Sequence, residues 1–198
     1  MTKIDNIYIE NGCKDKIPEL IKQLKIGKKY AIITDSKVKK IWGTALHKSL
    51  LKNGIEAEIF DFKEGEKSKT LSTVEYLANK LVEKNFDRKD AIIALGGGVV
   101  GDLAGFLAAI YMRGINCVQI PTTLLAMVDS AIGGKTGVDL NTGKNLIGTI
   151  TQPKAIFIDP GYLKTLPQNQ IINGMAEVIK YGVIKDATLF KFIEENLE

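Results

Sequence analysis

The chain has 198 residues, 45% hydrophobic and 25% charged, with a formal net charge of +4. That length suits one domain or slightly more with a substantial core, and the mild basicity admits acidic small-molecule substrates while lacking the dense positive face of a nucleic-acid binder. No stretch approaches the roughly 20 apolar residues of a membrane span, and no signal-type apolar run opens the chain, so a cytoplasmic protein with no membrane or nucleic-acid partner is expected.

Ile4, Ile7 and Ile9 predict a first strand ending at Asn11-Gly12, and Ile17, Leu20, Ile21 and Leu24 form an apolar stripe at helical spacing over residues 13–25. KYAIIT, residues 29–34, reads as a buried parallel strand ending at Asp35-Ser36, where polar residues face a ligand crevice. A helix over 37–52 presents Val38, Ile41, Trp42, Ala45 and Leu46 on one face and stops at Asn53-Gly54. His47, the sole histidine, falls beside that face and reads as a solvated surface residue. IEAEIFDF over 55–62 alternates as a strand, Gly65 to Lys69 make a polar turn, and residues 70–84 return to a helix.

Asp90 to Leu95 form the next strand, followed by Gly96-Gly97-Gly98 and a small-residue buried helix to Ile110. Val118, Ile120 and Pro121 mark a strand end, Thr122 to Ala131 a helix, and KAIFID over 154–159 a further strand between prolines. Residues 168–182 and 186–197 read as helices. The expected fold class is therefore α/β: a Rossmann-like, mostly parallel sheet with helices on both faces over residues 1–160. Residues 161–198 are expected to begin a helical domain that the chain leaves incomplete. Cys13 and Cys117 lie far apart beside apolar segments and read as buried thiols.

Gly96, Gly98 and Gly101 satisfy G-x-G-x-x-G between a strand and a helix, which suits either a structural turn or a pyrophosphate at a helix amino terminus. The pattern follows the fourth predicted strand, and Gln119-Ile120-Pro121 occupy the place where an acidic ribose ligand would stand, so this is not a standard dinucleotide fingerprint. Asp102 reads either as a helix-dipole carboxylate or as an acceptor for a hydroxyl. Gly133-Gly134-Lys135-Thr136 is no phosphate-binding P-loop, because Asp129 stands where that loop requires glycine. Asp129, Lys135, Asp139, Lys144 and Asn145 alternate among apolar residues, as charges at a pocket wall do; a lysine there binds phosphate as a point charge and a carboxylate orients a hydroxyl. Glu177 and Lys180 share a helix face, as an exposed ion pair or as a ligand pair.

The blocks GGGVVGDLAGFLAAIYMRGI, PTTLLAMVDSAIGGKTGVDL, GKNLIG and GMAEVIKYGVI, in this order and spacing, resemble 3-dehydroquinate synthase. The resemblance covers essentially the whole chain, which corresponds to roughly the amino-terminal half of such an enzyme. It implies NAD and a divalent metal, zinc or cobalt, as cofactors, and cyclisation of a sugar phosphate, 3-deoxy-D-arabino-heptulosonate 7-phosphate, to 3-dehydroquinate with phosphate release in the shikimate route. It also implies a homodimer for the full-length enzyme.

Residue by residue, the resemblance implies that Asp35, Glu66 and Lys69 contact the adenosine part of NAD. Gly97, Gly98, Asp102, Thr122 and Thr123 would hold its pyrophosphate and nicotinamide side, and Thr165 and Leu166 would line the nucleotide. Asp129, Lys135, Lys144 and Asn145 match substrate or site-organising positions, Lys144 also lying near NAD. Glu177 matches a metal-ligating glutamate and Lys180 a substrate-binding lysine. The family takes two further metal ligands from histidines of a carboxyl-terminal domain, and His47 aligns with neither, so the chain alone is expected to lack turnover. Other sugar-phosphate cyclases of inosose or valiolone type, and a non-catalytic NAD-binding module, are the competing readings; iron-type alcohol dehydrogenases share the glycine turn but not the threonine-containing block.

Overall fold

A computed structural model describes residues 2–4 and 6–196. Its centre is a seven-stranded sheet in the order β1-β2-β9-β6-β5-β3-β4. The strands are β1 (Thr2–Ile4), β2 (Ile7–Ile9), β3 (Lys29–Asp35), β4 (Glu56–Phe62), β5 (Ala91–Gly96), β6 (Asn116–Pro121) and β9 (Ala155–Ile158). All neighbours pair in parallel except β1 with β2. The single first strand expected over Ile4 to Ile9 is thus two short antiparallel strands: Ile4 pairs with Ile7, so the chain reverses between them.

Apolar alternation along the strands sends side chains to two cores, one per face. Ile32, Ile93 and Val118 point to one face, covered by α1 (Ile17–Leu24) and α3 (Thr44–Lys52). Ile33, Ile92 and Ala94 point to the other, covered by α4 (Leu71–Glu83) and α5 (Gly98–Ile110). Strands β5 and β9 are buried along their whole length, which explains their near-continuous apolar sequences. The architecture is the expected Rossmann-like α/β sheet covered on both faces.

The helix expected over 37–52 is interrupted: α2 (Ser36–Val38) passes into a wide π turn at Lys39–Gly43 before α3. The extra residue of that turn rotates the buried stripe, so Leu46 and Leu50 enter the core while Ile41 is exposed. His47 is not a free surface residue; its Nε2 donates to the Ala57 carbonyl at 2.9 Å and ties α3 to β4.

The largest departure from strand–helix alternation is a hairpin, β7 (Lys135–Leu140) with β8 (Gly143–Ile150), outside the main sheet. It lies on α5, where a Cβ on Gly105 would come within 2.4 Å of Thr136 Cγ2. Val138 is fully buried in the α4–α5 core and anchors the hairpin there. The chain then runs through β9 to α6 (Gln168–Lys185) and α7 (Ala187–Glu195), the latter capped by Asp186, whose side chain accepts from Thr188 and Leu189 N–H. Leu197, included in the last helix expected from the sequence, lies outside the described residues. Among the described residues no helix is long and apolar enough to cross a membrane.

Candidate functional site

Strand order reverses between β3 and β5: from β3 the chain goes outward to β4, then crosses back to β5 and on through β6. Crevices at the carboxyl ends of strands form at such a point, because the flanking connections diverge to opposite faces. Here the crevice is about 230 Å³ and is bordered by Asp35, Ile41, Trp42, Gly97, Val99, Val100, Thr122, Thr123, Thr165 and Leu166.

Its floor is the Gly96–Gly98 turn entering α5. Thr122 N–H donates to Gly96 O at 2.9 Å, which fixes the turn against β6. A Cβ on Gly97 would stand 3.0 Å from Thr123 Cγ2, and one on Gly98 3.0 Å from Ser130 Oγ, so side chains there would fill the approach to the α5 amino terminus. Bare backbone N–H groups at a helix start suit a phosphate. The residues therefore fit a dinucleotide. Asp35 caps α2 by accepting from Lys37 N–H at 2.9 Å and Val38 N–H at 2.8 Å, and burial raises its carboxyl above the usual range.

On the far wall, Thr165 Oγ1 donates to Tyr162 O and accepts from the Trp42 indole N–H, each at 3.2 Å. Trp42 packs edge-on to Tyr162 with ring centroids 5.0 Å apart. Helical spacing puts Trp42 on the apolar face of the expected 37–52 helix; that it and Ile41 wall the crevice follows from the π turn, which leaves no spacing signal.

A second, larger cavity of about 570 Å³ lies between the α5 start and the β7–β8 hairpin, lined by Asp102, Asp129, Ser130, Lys135, Asn145 and Leu146 among others. Lys135 makes no ion pair among the described residues, so its ammonium is available to an anion there. Asp102 borders this cavity rather than the crevice at the switch point. Lys69, 4% exposed, donates from Nζ to both Asp102 and Asn145. Burial raises the Asp102 carboxyl, with Lys69 opposing that shift.

Asn145 takes a left-handed φ of 56° and donates its backbone N–H to Asp139 Oδ1 at 2.7 Å, while Asp139 N–H donates to Lys69 O at 2.8 Å. These bonds dock the hairpin onto the Glu66–Lys69 turn. Glu66 and Lys144 do not border the crevice; they pair with each other at 3.0 Å on the surface. Glu177 and Lys180 form an ion pair on α6 and stand outside the cavity lining. Tyr181, which is not among the residues expected at the site, joins them to it by donating to Asp129 Oδ1 at 2.8 Å. Its position four residues after Glu177 was the available signal.

Among the described residues no group of three or more His, Cys, Asp and Glu stands together to hold a metal ion. Glu177 offers one carboxylate where a catalytic zinc takes three protein ligands, so these residues do not fit a complete metal site.

A doubly wound α/β domain with a nucleotide-type crevice at its switch point, opening beside a charged cavity, is the class of protein that the fold and site define. Residues 59–173 match the family model for the 3-dehydroquinate synthase N-terminal domain, and the chain belongs to that family. It is 50% identical over 190 residues to 3-dehydroquinate synthase of Clostridium acetobutylicum, covering 96% of this chain and 53% of that protein. The Streptococcus mutans enzyme is 48% identical, with 96% and 54% covered. The chain thus spans about half the length of these curated relatives.

Among solved structures, a 2-deoxy-scyllo-inosose synthase complexed with carbaglucose-6-phosphate, NAD+ and Co2+ superposes with TM-score 0.84 at 32% identity, over 90% of this chain and 49% of that one. The 2-epi-5-epi-valiolone synthase of Streptomyces hygroscopicus, with NAD+ and Zn2+ bound, gives TM-score 0.88 at 31% identity, over 98% and 54%. An iron-containing alcohol dehydrogenase at 19% identity and TM-score 0.74 shares the fold.

Proposed function

We propose that this chain provides the NAD crevice and part of the substrate wall of a 3-dehydroquinate synthase, which cyclises 3-deoxy-D-arabino-heptulosonate 7-phosphate to 3-dehydroquinate with release of phosphate. The observation that carries the reading is the glycine turn at the α5 amino terminus, set beside a cavity that holds the carboxylate of Asp129 and the ammonium of Lys135, which makes no ion pair among the described residues. Both cofactor-bearing cyclase structures and the named synthases support it.

In this proposal Gly97, Gly98 and Thr122 hold the pyrophosphate, Asp35 accepts from an adenosine-ribose hydroxyl, and Thr123, Thr165 and Leu166 line the nucleotide. When bound, NAD supplies a reversible hydride acceptor for a substrate carbinol. Lys135 attracts the phosphate or carboxylate of the substrate as a point charge. Asp129 and Asn145 orient its hydroxyls, and Lys69 keeps Asn145 and Asp102 fixed beneath them rather than touching NAD itself. Glu66 and Lys144 close the outer edge as a pair. Glu177 and Lys180 contribute from the helical segment 161–198, the start of a second domain, and the remaining metal ligands come from outside the described residues. On this reading the 198 residues alone bind without turnover, and the complete enzyme is a cytoplasmic homodimer.

The cyclases that make inosose or valiolone rings stand as a second reading, because their structures superpose over most of the chain. Calorimetry with NAD, then with the heptulosonate phosphate and a glucose 6-phosphate analogue in turn, tests the proposal. Binding of NAD followed by the heptulosonate phosphate is the expected result. Preference for the glucose 6-phosphate analogue would move the assignment to the second reading, and absence of NAD binding would sink both.

A further inference from the structure

Tyr181 follows Lys180 on α6 and lies four residues after Glu177, so the three side chains share one helix face. Its phenol donates to Asp129 Oδ1 at 2.8 Å across 52 residues of chain. Asp129 sits in the π turn Ala126–Ser130, whose backbone is held on both sides: Ala131 N–H donates to Ala126 O at 3.1 Å, and Ile132 N–H to Asp129 O at 2.9 Å. What the backbone leaves undetermined is rotation of the Asp129 side chain. The phenol removes that freedom by engaging one carboxylate oxygen. The other accepts from no described residue, and Asp129 borders the 570 Å³ cavity.

The reach of Tyr181 is itself set by packing. Two helical turns earlier, Gly174 lies so close to the preceding segment that a Cβ there would stand 2.7 Å from Leu125 N and from Leu124 Cβ. Any side chain at 174 would lift α6 away from the turn. Helix α6 is therefore seated by Gly174 and registered by Tyr181.

We propose that Tyr181 is a positioning residue for the sugar-phosphate cavity: it commits one Asp129 oxygen, leaves the other to accept a substrate hydroxyl, and so locks the helix carrying Glu177 and Lys180 in register with the substrate wall. This rests on the functional reading above, yet it assigns a role that no residue match supplies. A purely structural phenol would change stability alone. A positioning phenol acts through Asp129, and its effect must vanish when the carboxylate is gone.

The test is calorimetry on the 198-residue chain, saturated with NAD and titrated with 3-deoxy-D-arabino-heptulosonate 7-phosphate, for wild type, Tyr181→Phe, Asp129→Asn and the double variant. A charge-assisted hydrogen bond lost at the site leads us to expect about tenfold weaker sugar-phosphate binding in each single variant. The double variant should bind no more weakly than Asp129→Asn alone, and NAD affinity should stay within about twofold throughout. Sugar-phosphate affinity unchanged in Tyr181→Phe, effects that multiply in the double variant, or a parallel loss of NAD affinity would overturn the positioning role while leaving the functional reading intact. Wild-type chain that binds NAD but no sugar phosphate would overturn the reading of the cavity, and the positioning role with it.

Discussion

Replacing Lys69 by methionine isolates the buried polar hub that joins α5 to the hairpin. Methionine keeps most of the apolar stem but removes the ammonium that Asp102 and Asn145 both accept from. The Lys69 and Asp102 side chains are 5% and 20% exposed, so water cannot replace the lost partner fully. Removing one member of a buried ion pair costs about 3–5 kcal/mol. The residual exposure of Asp102 favours the lower end, and the orphaned Asn145 amide adds about 1 kcal/mol. A loss of about 3–4 kcal/mol is therefore expected, a large fraction of the roughly 5–15 kcal/mol stability of a domain.

The loss should depend on pH. Burial already raises Asp102 above its unfolded value of 3.8, and Lys69 opposes that rise, so deleting Lys69 drives the carboxyl further up. A carboxyl whose folded pKa exceeds its unfolded one stabilises the fold below the unfolded value and loses that contribution as pH rises through the folded value. The deficit of Lys69→Met should accordingly be largest near neutrality and shrink as the pH falls toward 3.8. Urea unfolding followed by the fluorescence of Trp42, the sole tryptophan, measures both quantities. Adding Asp102→Leu should recover much of the loss by removing the stranded charge. A deficit under about 1 kcal/mol, or one independent of pH, would refute the account of the hub as a buried charge pair.

Asp159 is fully buried and accepts from Gly12, Lys14 and Gly161 N–H at 2.8–2.9 Å, tying the amino-terminal turn to the segment that carries Thr165. Burial pushes its carboxyl up, but the three N–H groups outweigh it and hold the pKa below 3.8. Asp159→Asn should cost about 2–3 kcal/mol at neutral pH, a deficit that disappears as acid titrates the wild-type carboxylate through its depressed pKa, as urea curves across the acid range will record. NAD should perturb Trp42 emission, and Trp42→Phe, which deprives Thr165 of the indole donor, should weaken NAD binding about threefold to tenfold by calorimetry; equal affinity would remove Trp42 from the crevice wall. Burial pushes the thiols of Cys13 and Cys117 up to about 12. Neither should react with a thiol reagent at mildly alkaline pH until guanidinium unfolds the chain, and reaction of the native protein would contradict their burial.

Much of the fold was legible because its signals are local. KYAIIT and AIIALG are apolar runs of the kind a doubly covered strand accommodates, and their ends at Asp35 and Gly96 mark the crevice. The GGGVVGDLAGF block announces a helix entered through a bare backbone, and the order of its neighbours carries the family resemblance. The hairpin over 135–150 is masked in the sequence because glycines at 137, 143 and 148 blur the two-residue period of a strand. It is a hairpin only because Val138 finds the α5 core and Gly105 gives it room.

The sequence by itself determined which residues carry charge, where the backbone is bare, and how strands and helices alternate, since propensity and periodicity act over a few residues. Tertiary structure alone decided which charges meet. Lys69, Asp102 and Asn145 come from three separate segments, and Tyr181 finds Asp129 across 52 residues, so no local pattern could encode either contact. The same is true of Glu66 and Lys144, which pair with each other from the turn before α4 and from the hairpin. A buried charge selects its partner through desolvation, which acts only once the chain has closed around it.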